Sequence, residues 1–230
     1  MKKILLASAL ALSVTSAFAA DPSAVLKVKG TLTNAACSPE LSGGGVVDYG
    51  TIHLGELSAT ETNQLGQKKI NLTITCSSDT KVGFQVVDDR SATDAQITVE
   101  NAYANGESAD AGDYRTFGAG LTAENVKIGS WALAADPANI MVDGKAADFL
   151  SSPMWINEGL PAWKNNNPRA RVEHALQVYT VAATGTLEPV AFKTATIPLV
   201  TSLAIQGTTT LAITDDTQID GQATISLMYL

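Results

Sequence analysis

The feature that most constrains this chain is a strict alternation of apolar and polar residues in short segments. In residues 68–76, Ile70, Leu72, Ile74 and Cys76 face one side, and lysine, asparagine and threonine face the other. A period of two residues with β-branched side chains is typical of a half-buried strand. The same pattern predicts further strands at 82–86, 96–100, 176–182, 190–197 and 208–214.

The segments between the predicted strands are rich in turn-forming residues. Glycine, asparagine, aspartate and serine cluster there, which favours short strands joined by turns. Pro198 ends the run 190–197 or places it on a sheet edge. Helix signals are few, with residues 122–126 as a candidate, and residues 101–170 form the least regular part. Many short strands at this spacing predict an all-β fold built as an antiparallel sandwich.

The first nineteen residues have the composition of a secretory signal peptide. Two lysines precede an apolar run at residues 4–14, and residues 17–19 give a small-x-small cleavage pattern. We therefore expect the mature chain to start at Ala20. The apolar run is shorter than the roughly 20 residues that a membrane-spanning helix needs. The sequence thus predicts export of the mature protein.

Export determines how the two cysteines, Cys37 and Cys76, are interpreted. Disulfides form by default in an oxidising compartment, so a Cys37–Cys76 bridge is the first interpretation. Free buried thiols are an alternative, and a redox pair is disfavoured by the wide separation. Closing a loop of about 40 residues should stabilise the fold by roughly 4 kcal/mol.

Composition and motifs argue against several functional classes. The net charge of −8 does not favour nucleic acid as a partner, which requires clustered lysine and arginine. No G-x-S-x-G motif accompanies His53 or His174, and each histidine is expected on the surface or in a loop. We find no metal-ligand spacing and no phosphate-binding glycine loop. We therefore predict a protein that is not an enzyme, with no catalytic, cofactor-binding or metal-binding residues.

Both ends of the mature chain read as strands. In residues 24–32, one face carries Leu26, Val28, Gly30 and Leu32. In residues 221–230, the apolar row consists of Ala223, Ile225, Leu227 and Tyr229. An apolar strand that ends the chain without a polar tail presents an edge that tends to pair with another chain.

These ends resemble the subunits of bacterial chaperone–usher fimbriae. The similarity lies in Leu26-x-Val28-x-Gly30-x-Leu32, in the following Asn34-Ala35-Ala36-Cys37, in Cys76 closing an alternating strand, and in the penultimate Tyr229. It covers the first 60 mature residues and the last ten well, and the middle poorly. Typical pilins carry glycine where this chain has Thr217, and the mature chain is longer than a typical shaft subunit. The chain looks more like the larger, less-characterised pilin-like proteins than like a typical shaft subunit.

The resemblance implies an immunoglobulin-like antiparallel sandwich of the pilin type that lacks its final strand. Residues 1–19 would be the signal peptide, residues 20–34 a donor-strand extension, and residues 35–230 the pilin-like domain. Leu26, Val28 and Leu32 would enter a neighbour's groove, with Gly30 where no side chain fits. Ala223, Ile225, Leu227 and Tyr229 would form the groove-edge strand that a chaperone first covers.

The resemblance also implies partners and a location. The partners would be a periplasmic fimbrial chaperone, an outer-membrane usher and other fimbrial subunits, and no cofactor is implied. The chain would pass through the periplasm to a cell-surface fimbria that contributes to adhesion. Two alternatives remain open: residues 24–32 could be this domain's own first strand, and the chain could be a self-contained secreted β-sandwich. The latter would bind carbohydrate or protein through the tryptophan-rich segment 131–169, unless those tryptophans only fill one end of the sandwich.

Overall fold

The alternation in residues 68–76 produces the strand that the sequence predicts, inside a longer strand, Asn63–Thr80. Ile70, Leu72, Ile74 and Cys76 are all buried, at 8% exposure or less. The residues between them are exposed or half-buried. Because successive side chains of a strand point to opposite faces, this segment presents one apolar face to the core.

The computed structural model describes residues 27–29, 36–112, 114–154 and 162–230. The chain separates into two units, Met1–Thr33 and Asn34–Leu230, and the fold below is that of the second. Its strands, in chain order, are β1 (Cys37–Leu41), β2 (Asn63–Thr80), β3 (Val82–Asp88), β4 (Phe117–Gly118), β5 (Gly129–Ala135), β6 (Met141–Val142), β7 (Lys145–Pro153), β8 (Lys164–Asn165), β9 (Arg171–Val172), β10 (Gln177–Ala183), β11 (Phe192–Ile205) and β12 (Ala223–Tyr229).

Helical structure in the described ranges is short. It comprises the α-helix α1 (Thr208–Leu211) and four 3₁₀ turns, Ser42–Gly45, Leu54–Glu56, Ser91–Thr93 and Pro137–Asn139. None of these described helices has the length and hydrophobicity that crossing a membrane would require.

All strand pairs of the described chain are antiparallel, so the predicted all-β antiparallel class is confirmed. The strand order is β1-β2-β11-β6-β7-β10-β3-β12, with β5 also paired to β11. One layer contains β1, β2, β11 and β5, the other contains β7, β10, β3 and β12, and the β6–β7 hairpin connects them. Strands β1 and β12 are therefore the two ends of the path.

The main core lies between the layers. Leu72, Ile197 and Leu199 from one layer join Phe84 and Tyr179 from the other in a single buried cluster. The ring of Phe84 lies 5.6 Å from that of Tyr179, centroid to centroid. The buried hydroxyl of Tyr179 accepts the backbone N–H of Glu173 at 2.6 Å, which satisfies a polar group that would otherwise be costly to bury.

Two predicted strands and the predicted helix are wrong. Residues 96–100 contribute an isolated bridge, Val99 to Ala109, instead of a strand. Residues 208–214 begin with α1, and the amides of Thr208 and Thr209 donate to the carbonyls of Ser58 and Ala59 instead of to a neighbouring strand. Residues 122–126 form a turn closed by the Thr122 N–H and the Val126 carbonyl, 2.8 Å apart.

Residues 101–170, which the sequence predicts to be the least regular part, hold less strand than the described chain on either side, but they also contribute to both layers. This region contains β5 and β7, which supply central pairs of the two layers. Six of the seven residues of β5 are buried, so the strand shows no alternation of apolar and polar residues. A strand covered on both faces is a continuous small or apolar run, and its sequence lacks the period that marks a half-buried strand.

Pro198 neither ends its strand nor lies on an edge. Strand β11 continues through it and pairs with β2 at Asn71. On the other side, β6 pairs up to Thr196 and β5 begins at Leu199, so Pro198 faces the gap between them. Its carbonyl accepts the Asp136 N–H there at 2.7 Å. Because no strand pairs at this point, the missing proline N–H breaks no ladder bond.

The side chain of Asp136 connects this gap to β2, and replacing it should change the stability of the fold in a pH-dependent way. Its carboxylate lies 2.8 Å from Lys69 Nζ and 3.0 Å from Asn139 Nδ2, and these contacts, Lys69 foremost, lower the pKa of Asp136. We expect Asp136→Asn to lower the free energy of unfolding at pH 7 by about 1–2 kcal/mol. Because the pKa of Asp136 is lowered in the folded state, this carboxylate adds to the free energy of unfolding above pH ~4. Its contribution is lost as the pH falls below that value.

Urea denaturation at pH 7 and pH 3 measures this effect. The difference in free energy of unfolding between the native protein and the Asp136→Asn variant should be smaller at pH 3 than at pH 7. Asp79→Asn is the matched control, since Asp79 is an exposed residue of the same β2 strand. That control should change stability by less than about 0.5 kcal/mol. An Asp136→Asn difference that stays constant down to pH 3 would contradict the assignment.

Candidate strand-binding groove

Strand β12 pairs with β3 on one side, and its other edge has no strand partner among the described residues. The Asp89 N–H donates to the Gln222 carbonyl, and the Leu230 N–H donates to the Lys81 carbonyl. Hydrogen-bonded and non-hydrogen-bonded pairs alternate along antiparallel strands, so the even-numbered residues of β12 bond to β3. The backbone groups of residues 223, 225, 227 and 229 therefore point away from β3.

Strand β1 forms the facing edge. It pairs with β2 on one side, and Pro39, which has no N–H, lies in its middle, as edge strands allow. The predicted disulfide between Cys37 and Cys76 is confirmed and fixes the start of β1 on β2. The outward N–H of Cys37 donates to the Tyr229 hydroxyl at 2.9 Å, so the two edges meet at this end.

Away from this contact the two edges separate and leave an open groove, which we call the cleft. Its first part has a volume of about 240 Å³ and is lined by Leu41, Val47, Tyr49, Ile70, Trp131, Leu133, Leu199, Leu203, Ile219, Ala223 and Ile225, among others. The second part, about 1090 Å³, continues between residues 46–57 and residues 211–219. Val47, Tyr49 and Ile219 line both parts, so the cleft is continuous.

Trp131 of β5 forms part of the floor of the cleft. Its indole N–H donates to the Gly118 carbonyl at 3.0 Å, and its ring stacks on Phe117 with centroids 4.3 Å apart. A Cβ at Gly221 would lie 2.7 Å from Trp131 Nε1, so glycine lets the chain pass close over the indole before β12 begins. The floor is thus a rigid aromatic surface under an apolar groove.

Tyr49 anchors the opposite wall. Its hydroxyl donates to the Thr201 carbonyl at 3.2 Å, and burial raises the pKa of Tyr49. Lys68 Nζ lies 5.5 Å from the centroid of its ring, on the side of β2. The extended segment after the Ser42–Gly45 turn is therefore held on the β2–β11 surface as one side of the cleft.

The predicted site residues fall in two groups. Ala223, Ile225 and Leu227 lie on β12, half-buried against the main core, and Tyr229 on the same strand is 55% exposed. Of the predicted donor segment, Val28 is 90% exposed. Leu26, Gly30 and Leu32 lie outside the described residues, as does Trp155 of the tryptophan-rich segment.

The two histidines lie in different surroundings. His53 is an exposed residue just before the Leu54–Glu56 turn. His174 lies in a turn but is buried: its ring centroid is 4.9 Å from that of Phe117, and its Nε2 is 3.2 Å from the Thr116 carbonyl. Within the described ranges, no group of three or more histidine, cysteine, aspartate or glutamate residues is arranged to hold a metal ion.

Comparison with known proteins identifies relatives along nearly the whole chain. Protein GltF of Escherichia coli (strain K12) is 30% identical over an alignment of 246 residues, gaps included, which covers 97% of this chain and 95% of GltF. The uncharacterized protein YhcF of the same strain is 33% identical over 242 residues, covering 99% of this chain and 98% of YhcF. A family described as "Protein of unknown function (DUF1120)" matches residues 26–132. This chain belongs to the DUF1120 family. No solved structure gives a significant match.

Sequence reasoning missed most of the cleft wall and floor. Trp131 was assigned only to a tryptophan-rich region, although it lies under the start of β12. Val47, Tyr49 and Ile219 were not assigned to a site, and they connect the two parts of the cleft. A weak signal was present: valine and tyrosine alternate at positions 47 and 49, just after three glycines.

Proposed function

We propose that this chain is a structural subunit of a surface fimbria, assembled through donor-strand exchange and contributing to adhesion. The observation that carries the proposal is the apolar first part of the cleft, lined by Leu41 of edge strand β1 and by Ala223 and Ile225 of edge strand β12. Along one side of this cleft, alternate backbone groups of β12 point outward without a strand partner in the described chain. Such an edge beside an apolar groove suits the addition of one extended strand.

The energetics of such an addition come from two sources. Backbone hydrogen bonds would form between the added strand and the outward-pointing groups of Ala223 and Ile225, the β12 residues that line the cleft. Alternate apolar side chains of the strand would enter the cleft, where burial of each leucine or valine contributes about 1.5–3 kcal/mol. Leu26, Val28 and Leu32 form such an alternating row, and Gly30 would lie where the cleft leaves no room.

The cleft also supports the part of the proposal that gives this chain partners before assembly. An apolar groove beside an unpaired strand edge, like the first part of the cleft, is a liability for aggregation unless another chain covers it. We infer that a periplasmic chaperone covers it first, and that an outer-membrane usher then directs exchange for the N-terminal segment of another subunit. Export through the periplasm to the cell surface is part of the same proposal.

Deletion of residues 20–34 behind an intact signal peptide tests the proposal. We expect the deletion variant to co-purify from the periplasm with a stoichiometric chaperone, because its own cleft is unchanged. The variant has no donor segment to insert into the cleft of another subunit. Surface fibres that contain it should therefore be absent, or should stop growing where it is incorporated. Electron microscopy and heat-stable multimer ladders on gels measure the outcome.

A pair of matched substitutions gives the control. Val28→Asp places a charge in the apolar row of the segment, whereas Thr31→Asp places the same charge in the polar row. Only Val28→Asp should abolish the multimer ladder. Normal fibres from the deletion variant, or equal effects of the two substitutions, would refute the proposal.

A further inference from the structure

In the two segments that flank the cleft, aspartate and glutamate occur but lysine and arginine do not. Residues 36–57 and 211–230 contain no lysine or arginine. Their acidic residues are Glu40, Asp48, Glu56, Asp215, Asp216 and Asp220. Asp48, Asp215 and Asp216 line the cleft itself and are exposed, while Asp220 is paired with Arg90 at 2.8 Å. No lysine or arginine is among the described residues that line the cleft, and Lys68 of β2 lies over the ring of Tyr49.

The N-terminal segment has the opposite charge. Residues 22–34 contain Lys27 and Lys29 and no acidic residue. In the alternation of this segment both lysines fall on the row opposite Val28, so they would remain on the rim when the apolar row is buried. Residues 35–230, by contrast, contain 22 acidic and 11 basic residues. The segment is thus a cationic stretch of an otherwise acidic chain.

We propose that the cleft selects the N-terminal segment of a second copy of this chain by charge, with Lys27 and Lys29 over the acidic rim. This inference rests on the proposed function and names the occupant of the same cleft. Exposed ion pairs add little to affinity, but complementary rim charges accelerate association and disfavour wrong partners. The acidic rim would therefore act on the rate of capture and on the choice of strand, while the apolar row supplies most of the affinity.

The test uses the mature chain carrying Val28→Asp as acceptor, so that its own segment does not compete for the cleft. The probe is a fluorescent synthetic peptide with the sequence of residues 20–34. A second peptide carries Lys27→Gln and Lys29→Gln. In about 0.05 M NaCl we expect the second peptide to associate about three- to tenfold more slowly. In about 0.5 M NaCl, where the Debye length is roughly 4 Å, the two rates should converge.

Variants of the acceptor chain test the contribution of the acidic residues that line the cleft. Asp215→Asn with Asp216→Asn should slow the native peptide by a similar factor and should not slow the glutamine peptide. Glu100→Gln with Glu188→Gln is the matched control, because these exposed carboxylates do not line the cleft. It removes the same net charge and should have a much smaller effect.

The outcomes separate this inference from the proposed function. If both peptides bind at equal rates in low salt, selection by charge is wrong and the strand-binding cleft stands. If neither peptide binds at any salt concentration, both the inference and the proposed function fail. If an acidic or unrelated peptide associates as fast as the native one, the cleft does not select this chain's own segment.

Discussion

Replacing Cys37 and Cys76 together by alanine is expected to lower the free energy of unfolding by about 4 kcal/mol. The bridge joins residues 39 positions apart, and its loss returns the entropy of that loop to the unfolded chain. It also frees β1, whose five residues pair only with β2 among the described strands. The same replacement should therefore loosen one side of the cleft.

Urea denaturation monitored by circular dichroism measures this loss. Reduction of the native protein with dithiothreitol should lower its stability to a similar degree, whereas the double variant should not respond to the reductant. A second readout is amide exchange of Ser38 and Glu40, the β1 residues whose N–H groups face β2, which should become faster in the variant. A loss below about 1 kcal/mol would mean that the bridge does not constrain the unfolded chain as described.

Phe84→Ala is expected to cost about 3–5 kcal/mol, the usual range for removing a buried phenylalanine ring. Phe84 has no solvent-exposed surface, and its ring lies 5.6 Å from that of Tyr179 and 6.2 Å from that of Phe149. It is paired across the sheet with Tyr179 on one side and Leu227 on the other. The cavity would therefore weaken the support of β12 as well as the core.

Val87→Ala is the matched control for Phe84→Ala. Val87 lies on the same strand but points outward and is 40% exposed. Its truncation should cost less than about 1 kcal/mol. Thermal or urea denaturation of both variants gives the comparison, and equal losses would show that β3 does not have the core-facing side assigned to it.

The faces of half-buried strands could be predicted from the sequence alone. In β2 and β3 the apolar residues recur at every second position, because one face meets the core and the other meets water. The disulfide followed from the cysteine count and the predicted export. The apolar row of β12 was also readable, since Ala223, Ile225 and Leu227 alternate with polar residues.

Other parts of the fold could not be predicted, for physical reasons. Strand β5 is buried on both faces, so it lacks the alternation on which the prediction depends. The run 208–214 has the alternation of a strand, but its start forms α1, and the amides of Thr208 and Thr209 bond to the distant carbonyls of Ser58 and Ala59. The cleft itself depends on where residues 46–57 and 211–219 lie relative to the β2–β11 surface, and a local pattern carries no such information.

Amide hydrogen exchange along β12 tests the central claim most directly. The experiment adds the peptide of residues 20–34 to the mature chain carrying Val28→Asp and follows β12 residue by residue. We predict that the amides of Ala223 and Ile225, the β12 residues that line the cleft, exchange fast alone and slowly with the peptide. The amides of Thr224, Ser226 and Met228 should be protected in both states. Protection of the Ala223 and Ile225 amides without peptide, or no change at saturating peptide, would contradict a cleft that accepts a strand.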